Sequence, residues 1–221
     1  MQPKISLCMI LKDEEPVLEK FLNSIKDYAD ELIIIDTGSK DIVLNTSSKA
    51  RSKTKEISKK FTKRIYDFRW NDDFAKARNF SISKATKEWI LVLDPDEKID
   101  KKDLEKIKGI IKKDKKEVLG YRIIQKTYYK NKIISIRGIC RLFKNDKRIK
   151  FIYPIHETVR ESIRSLNGKI GKTGITIKHY PKISKEKQEY YLTLLETKKH
   201  KFPESNAEKE IANEKELFNP L

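Results

Sequence analysis

Acidic residues at the ends of apolar runs are where this sequence can do chemistry. Asp36 follows the run LIII, Asp67 lies near the end of RIYDF, and Asp94-x-Asp96 follows EWILVL. Carboxylates one residue apart at a strand end can hold a divalent cation that also bridges phosphate oxygens. In an open α/β sheet such strand ends face the ligand crevice. The same acids can instead cap a helix or a loop, and the Asp-x-Asp spacing is common on its own. Arg78 and Asn79, in ARNFSISKA, precede the fourth strand. An arginine there can reach a diphosphate through paired donors, or form a surface pair with Asp72 or Asp73. The stretch WNDD at residues 70–73 offers a helix start with Asp72 as its cap.

The elements that must carry these residues alternate over the first hundred positions. Apolar runs predict strands at 4–10, 31–35, 64–68 and 88–93, and helical spacing predicts helices at 14–28, roughly 46–61, and 72–84. That order calls for a mostly parallel, twisted sheet covered on both faces. Beyond residue 100 the pattern changes to an exposed amphipathic helix at 101–113. Antiparallel strands follow at 118–129 and 132–136, turning at Lys130-Asn131, with further strands at 149–153 and 174–178. Two helices follow residue 183, broken near Phe202-Pro203.

Composition narrows the function classes. The 221 residues carry 50 Lys and Arg against 33 Asp and Glu, a net charge of +17. Residues 1–100 hold 19 basic and 18 acidic side chains, and residues 101–221 hold 31 and 15, so the excess sits in the second half. A uniformly basic nucleic-acid binder would not leave its first hundred residues neutral. The basic half is suited to an anionic partner. Tyr128-Tyr129 among Lys126, Lys130 and Lys132 would serve a nucleic-acid surface, but that reading leaves the acidic strand ends without a role. Two cysteines, Cys8 and Cys140, make no disulfide framework. No apolar run reaches the ~20 residues of a membrane span, and the opening residues lack a signal-peptide cleavage site. A cytoplasmic protein is expected, with peripheral contact to an anionic membrane through the eight lysines of residues 101–116.

Together, SLCMILKDEEPVLEKFLNSI, DELIIIDTGSKD, FRWNDDFAKARNFSISKATKEWILVLDPDE and YPIHETVRES resemble family 2 glycosyltransferases of the GT-A fold. The likeness is to the branch with lipopolysaccharide-core glucosyltransferases and peptide S-glycosyltransferases. It implies a GT-A domain over residues 1–182, with a nucleotide-sugar half (1–100) and an acceptor-side half (101–182). Residues 183–221 would form a helical extension. The resemblance implies a nucleotide-sugar donor, most often a UDP-sugar, and a glycan, lipid-linked glycan or peptide acceptor. Ile10, Lys12, Glu14 and Asp36 would hold the nucleotide, with Asp67, Arg78, Asn79 and Asp94 also facing the donor. Asp94 and Asp96 would bind Mn2+ or Mg2+, with His179 as a further ligand. Transfer would invert the sugar, with Glu157 or His156 as the base. The sequence departs from the family pattern at Asp13, where Asn is usual, and at Pro95, where a small residue is common. Lys87 stands where Gly is usual, and Tyr153-Pro154 where the family often has Gly.

Overall fold

The computed structural model describes residues 3–43, 51–113 and 115–217. Four parallel strands form its first half: β1 (Ile5–Leu11), β2 (Glu31–Asp36), β5 (Ile65–Asp67) and β6 (Trp89–Val92). All seven residues of β1 are buried, because helices cover both faces. Ile5, Leu7, Met9 and Leu11 meet Leu18 and Leu22 of α1 (Glu15–Ile25) and Leu104, Ile107 and Ile111 of α4 (Lys101–Lys112). Cys8 and Ile10 face the other way, onto Ala75, Ala77 and Ile82 of α3 (Phe74–Ile82) and Ile163 of α5 (Arg160–Ser165). This two-residue alternation places one strand in two cores.

The second half contains β7 (Glu97–Ile99), β8 (Val118–Tyr129), β9 (Lys132–Lys144) and β10 (Lys169–His179). The strand order is β5-β2-β1-β6-β9-β8-β10-β7. Strand β9 is antiparallel to both β6 and β8, while β10 runs parallel to β8 and antiparallel to β7. In a flat sheet β7 would lie four strand spacings from β6, about 19 Å. The chain between Val92 and Glu97 includes a tight turn in which the Asp94 carbonyl accepts from the Glu97 N–H at 3.0 Å. Such a turn holds its ends within about 7 Å, so the link is too short for a flat sheet. The second half therefore curls until its last strand returns to the end of β6.

A two-stranded ribbon of β3 (Ile42–Val43) and β4 (Arg51–Ser52) flanks the sheet and leads into α2 (Lys53–Lys59). The helix expected from residue 46 thus begins at Lys53, where the Ser52 hydroxyl accepts from the Lys55 N–H; residues 46–50 lie outside those described. Two helices, α6 (Lys185–Lys201) and α7 (Ala207–Leu217), follow β10, as expected.

The expected strand at 149–153 is reduced to one bridge, Ile152 to Thr158. Asn79 explains why: its side-chain amide donates to the Phe151 carbonyl at 2.9 Å and accepts from the Phe151 N–H at 2.8 Å. A side chain stands in for the neighbouring strand. Asp73, not Asp72, caps α3 by accepting from the Lys76 N–H, while Asp72 takes a left-handed backbone with φ 59°.

The two half-sheets meet through the β6–β9 register Trp89↔Lys144, Ile90↔Phe143 and Leu91↔Leu142. Phe143 is fully buried there, edge-on to Phe151 at 5.8 Å. Phe143→Ala is expected to cost about 3–5 kcal/mol, read from urea unfolding midpoints at constant slope. A cost below about 1 kcal/mol would show that this seam is not a packed joint.

Candidate active site

The turn from β6 to β7 presents Asp94, Pro95 and Asp96 into a cavity of about 1080 Å³. Pro95 occupies the second position of that turn, where a ring-locked φ is favoured, so this departure from the family pattern suits the local backbone. The Glu97 carboxylate accepts from the Asp94 N–H at 2.9 Å and from Gln125 at 2.6 Å. Burial pushes the Glu97 carboxyl upward, and the charge of Asp94 adds to it.

Asp94 and Asp96 have different surroundings. Asp94 Oδ2 accepts from Arg78 at 2.6 Å and from Arg141 at 3.4 Å. Burial raises its pKa, but the two guanidinium groups outweigh that and hold it down at about 2. Asp96 Oδ2 instead lies 3.4 Å from His179 Nε2, and His179 Nδ1 meets the Thr127 hydroxyl at 3.2 Å. The register His179↔Glu97 between β10 and β7 produces this meeting. These two side chains are the ones here that could hold a divalent cation together. Asp94 does not complete the expected three-residue set, because its carboxylate is turned to the arginines. Among the described residues no cluster of three or more His, Cys, Asp or Glu could hold a metal.

Arg78 is almost fully buried on α3 and links the turn to the 151–158 connection. Its Nε donates to Glu157 at 3.1 Å, and its Nη1 is buried with no protein partner. The surface pairing with Asp72 or Asp73 does not form. Arg141 joins the cluster, with Nη1 at 3.9 Å from Glu157. A register shift opposite Tyr121 and Arg122 places Arg141 in a β-bulge, a device that re-aims a side chain. Sequence reading missed Arg141 and Glu97; a lone arginine in the apolar stretch ICRLF was the available signal.

At the other side of the cavity, Ile10, Lys12 and Glu14 line the wall. Asp13, with φ 53°, accepts the N–H groups of Lys40 and Asp41 at 2.6 and 3.0 Å. The asparagine usual at this position could accept the same bonds and suits that backbone. Asp36 is buried: Oδ1 accepts from the N–H groups of Gly38 and Ser39 at 2.7 Å each, and Oδ2 is buried without a protein partner. Asp36, Asp67 and Asn79 are not among the residues that line the cavity. Asp67 is largely exposed and pairs with Lys55 at 2.5 Å, and Asn79 is committed to Phe151.

Helices α6 and α7 roof the cavity with Tyr191, Glu210 and Glu214 among others. Tyr190 donates to Asp72 at 2.7 Å and accepts from Trp70 at 2.8 Å, and Phe74 meets the Tyr191 ring edge-on. His156 faces this roof, its Nδ1 3.2 Å from Glu210, which also takes the buried Lys198 ammonium at 2.6 Å. Tyr153 holds a φ of 77° that favours glycine, braced by Phe202 at 5.1 Å and by Lys198 over its ring at 4.6 Å. Burial pushes both thiols, Cys8 and the cavity-lining Cys140, up to about 12.

A curled, mixed sheet, parallel in its first half and with antiparallel pairings in its second, carries its cavity at the strand ends and an Asp-x-Asp turn at its seam, which defines a GT-A fold. Over residues 6–167 the chain matches Glycosyl transferase family 2, and it belongs to that family. It is 34% identical over 183 residues to a TPR repeat-containing protein of Synechococcus elongatus, covering 80% of this chain and 42% of that protein. It is 28% identical over 158 residues to the SPbeta prophage-derived glycosyltransferase SunS of Bacillus subtilis, covering 70% of this chain and 34% of SunS. The chain thus spans less than half the length of these two relatives. Among solved structures, S. aureus TarS 1-349 in complex with UDP shares the fold with a TM-score of 0.60 at 16% identity. That match covers 87% of this chain and 63% of TarS 1-349. The UDP-GlcNAc complex of the same protein gives 0.60 at 15% identity, over 87% and 65%.

The arginine cluster makes a prediction about acid. Since Asp94 is held below the ordinary carboxylate value of about 4, its pairing contributes fully above that pH and is lost as the pH falls toward 2. Asp94→Asn should therefore flatten stability between pH 4 and about 2 relative to wild type, measured by circular dichroism melts. Arg78→Met should cost about 3 kcal/mol at neutral pH by leaving two carboxylates without their main partner. Parallel pH curves for wild type and Asp94→Asn would remove the pairing from the account.

Proposed function

We propose that this chain is a glycosyltransferase that moves a sugar from a UDP-sugar to an acceptor nucleophile, with inversion at the anomeric carbon. The observation that carries the reading is the Asp96–His179 pair, set at the strand ends of a family 2 fold beside an ordered arginine–carboxylate cluster. The UDP and UDP-GlcNAc complexes of TarS, which shares the fold, support a uridine donor. Asp36, with one buried oxygen lacking a protein partner, would accept from the base or ribose. Lys12, and Lys182 near Glu14, would face the diphosphate.

Asp96 and His179 would hold Mn2+ or Mg2+, which neutralises charge developing on the leaving diphosphate. Glu157 is the proposed base. Its carboxylate lines the cavity and is fixed by Arg78 and Arg141, so its orientation is set before the acceptor arrives. It would take the proton of an acceptor hydroxyl or thiol as that atom attacks opposite the diphosphate. His156 is held toward Glu210 and would fasten the roof. Arg78, with both its carboxylate partners in place, positions Asp94 and Glu157 in this reading and has only Nη1 left for a donor. The acceptor is a glycan, a lipid-linked glycan or a peptide.

Calorimetric titration of UDP with Mn2+ and with chelator is expected to show metal-dependent binding. Asp96→Ala should abolish that dependence and lower turnover by about 100-fold or more. Retention of metal-dependent UDP binding in Asp96→Ala would place the cation elsewhere. Glu157→Gln should lower turnover by about 100-fold or more while leaving UDP affinity near wild type. If wild type binds UDP but releases no UDP across a panel of sugar donors and acceptors, the chain is a silent scaffold.

A further inference from the structure

The four large apolar side chains that stand out as exposed among the described residues are Tyr129, Ile133, Ile136 and Tyr180. They are not scattered. Three belong to the β8–β9 hairpin, around its tight turn at Lys130-Asn131, and the fourth directly follows β10. Tyr180 stacks on Tyr128, with ring centres 5.2 Å apart and planes at 20°.

The register places basic residues beside them. Lys98 of β7 pairs with Lys178 of β10, Lys178 pairs with Lys126 of β8, and Lys126 pairs with Ile136 of β9. Residues directly opposite across strands share one face, so three lysines stand in a row and end on an exposed isoleucine. Like charges so placed repel, and folding alone gives no reason for them. Asp100 answers Lys178 at 3.2 Å, while the Lys98 ammonium lies 4.7 Å from the centre of the Tyr180 ring. Lys130 stands over Tyr129 at the turn. None of Lys98, Lys126, Lys178, Ile133, Ile136 or Tyr180 lines the cavity, but Thr127, Ser135, His179 and Pro181, their chain neighbours, do.

We propose that this ridge docks the protein on an anionic phospholipid surface, with Ile133 and Ile136 entering the headgroup layer and the lysine row meeting lipid phosphates. Apolar and aromatic tips surrounded by lysine match the chemistry of the membrane–water interface. A second copy of this chain would bring lysine rows of the same sign together. A nucleic-acid strand would need open ring faces for its bases, whereas Tyr128 and Tyr180 cover each other. The helix expected to make such contact, α4, has charge without an anchor: Leu104, Ile107 and Ile111 face the core, and no large apolar side chain on α4 is exposed. The proposal does not rest on sugar transfer, and it places the bilayer beside the cavity mouth.

Co-sedimentation with vesicles of phosphatidylcholine, alone and mixed equally with phosphatidylglycerol, tests it. The protein is expected to sediment with the mixed vesicles at low salt and to be released as salt rises. Lys98→Gln/Lys126→Gln/Lys178→Gln should weaken partitioning by about tenfold or more, and Ile133→Ser/Ile136→Ser should also weaken it. A variant with Lys101, Lys102, Lys112 and Lys113 changed to Gln should bind more tightly than either. Circular dichroism melts and UDP titration separate misfolding and loss of the donor site from loss of docking. The proposal is overturned if the mixed vesicles do not bind wild type, or if both ridge variants bind as wild type does. It is also overturned if the α4 variant alone loses binding, or if an oligonucleotide binds more tightly than the vesicles.

Discussion

The turn at residues 94–97 is short, and much of the molecule follows from that. It joins strands at distant positions in one sheet, and its closing hydrogen bond removes any slack. The second half-sheet must therefore bend back to meet the first. Because it does, an aspartate in the turn and a histidine 83 positions later come within 3.4 Å. The candidate cation site is a product of chain length as much as of side-chain choice.

Around that turn the two aspartates divide their work. Asp94 is tied to two arginines and stays ionised to low pH, so it fixes geometry. Asp96 faces the His179 imidazole at 3.4 Å and no arginine, with Glu14, Glu97 and Tyr191 close enough to feel its charge. Buried ion pairs contribute little net stability against an apolar alternative, yet breaking one partner is costly. Such a cluster holds a surface in one arrangement rather than making the fold more stable. Here it connects α3, the turn, the β9 bulge and the Glu157 connection, four elements far apart in sequence.

The parallel strands and the Asp-x-Asp turn were legible because burial on both faces writes continuous apolar runs, and turns write proline and acid. The rest depended on register and on side chains used as backbone. Arg141 reaches the site only through a bulge, which one strand read alone does not show. Asn79 lay in a functional-looking motif, but its amide completes the hydrogen bonding of Phe151. Residues 149–153 have a strand's apolar content without a strand's partner. His179 was singled out by residue type; its meeting with Asp96 needed the order β8-β10-β7, which no local pattern encodes.

That order has a consequence for how the chain is made. Strand β10 inserts between β8 and β7, both of which precede it in synthesis. Until residues 169–179 leave the ribosome, the twelve-residue strand β8 has one open edge, and β7 lacks β10, its partner among the described residues. Open edges recruit other strands. The family match itself ends at residue 167, two residues before β10 begins. A nascent chain stopped there would contain all of the matched sequence and still expose an unpaired β8 edge, open to pairing with other strands before the sheet is complete.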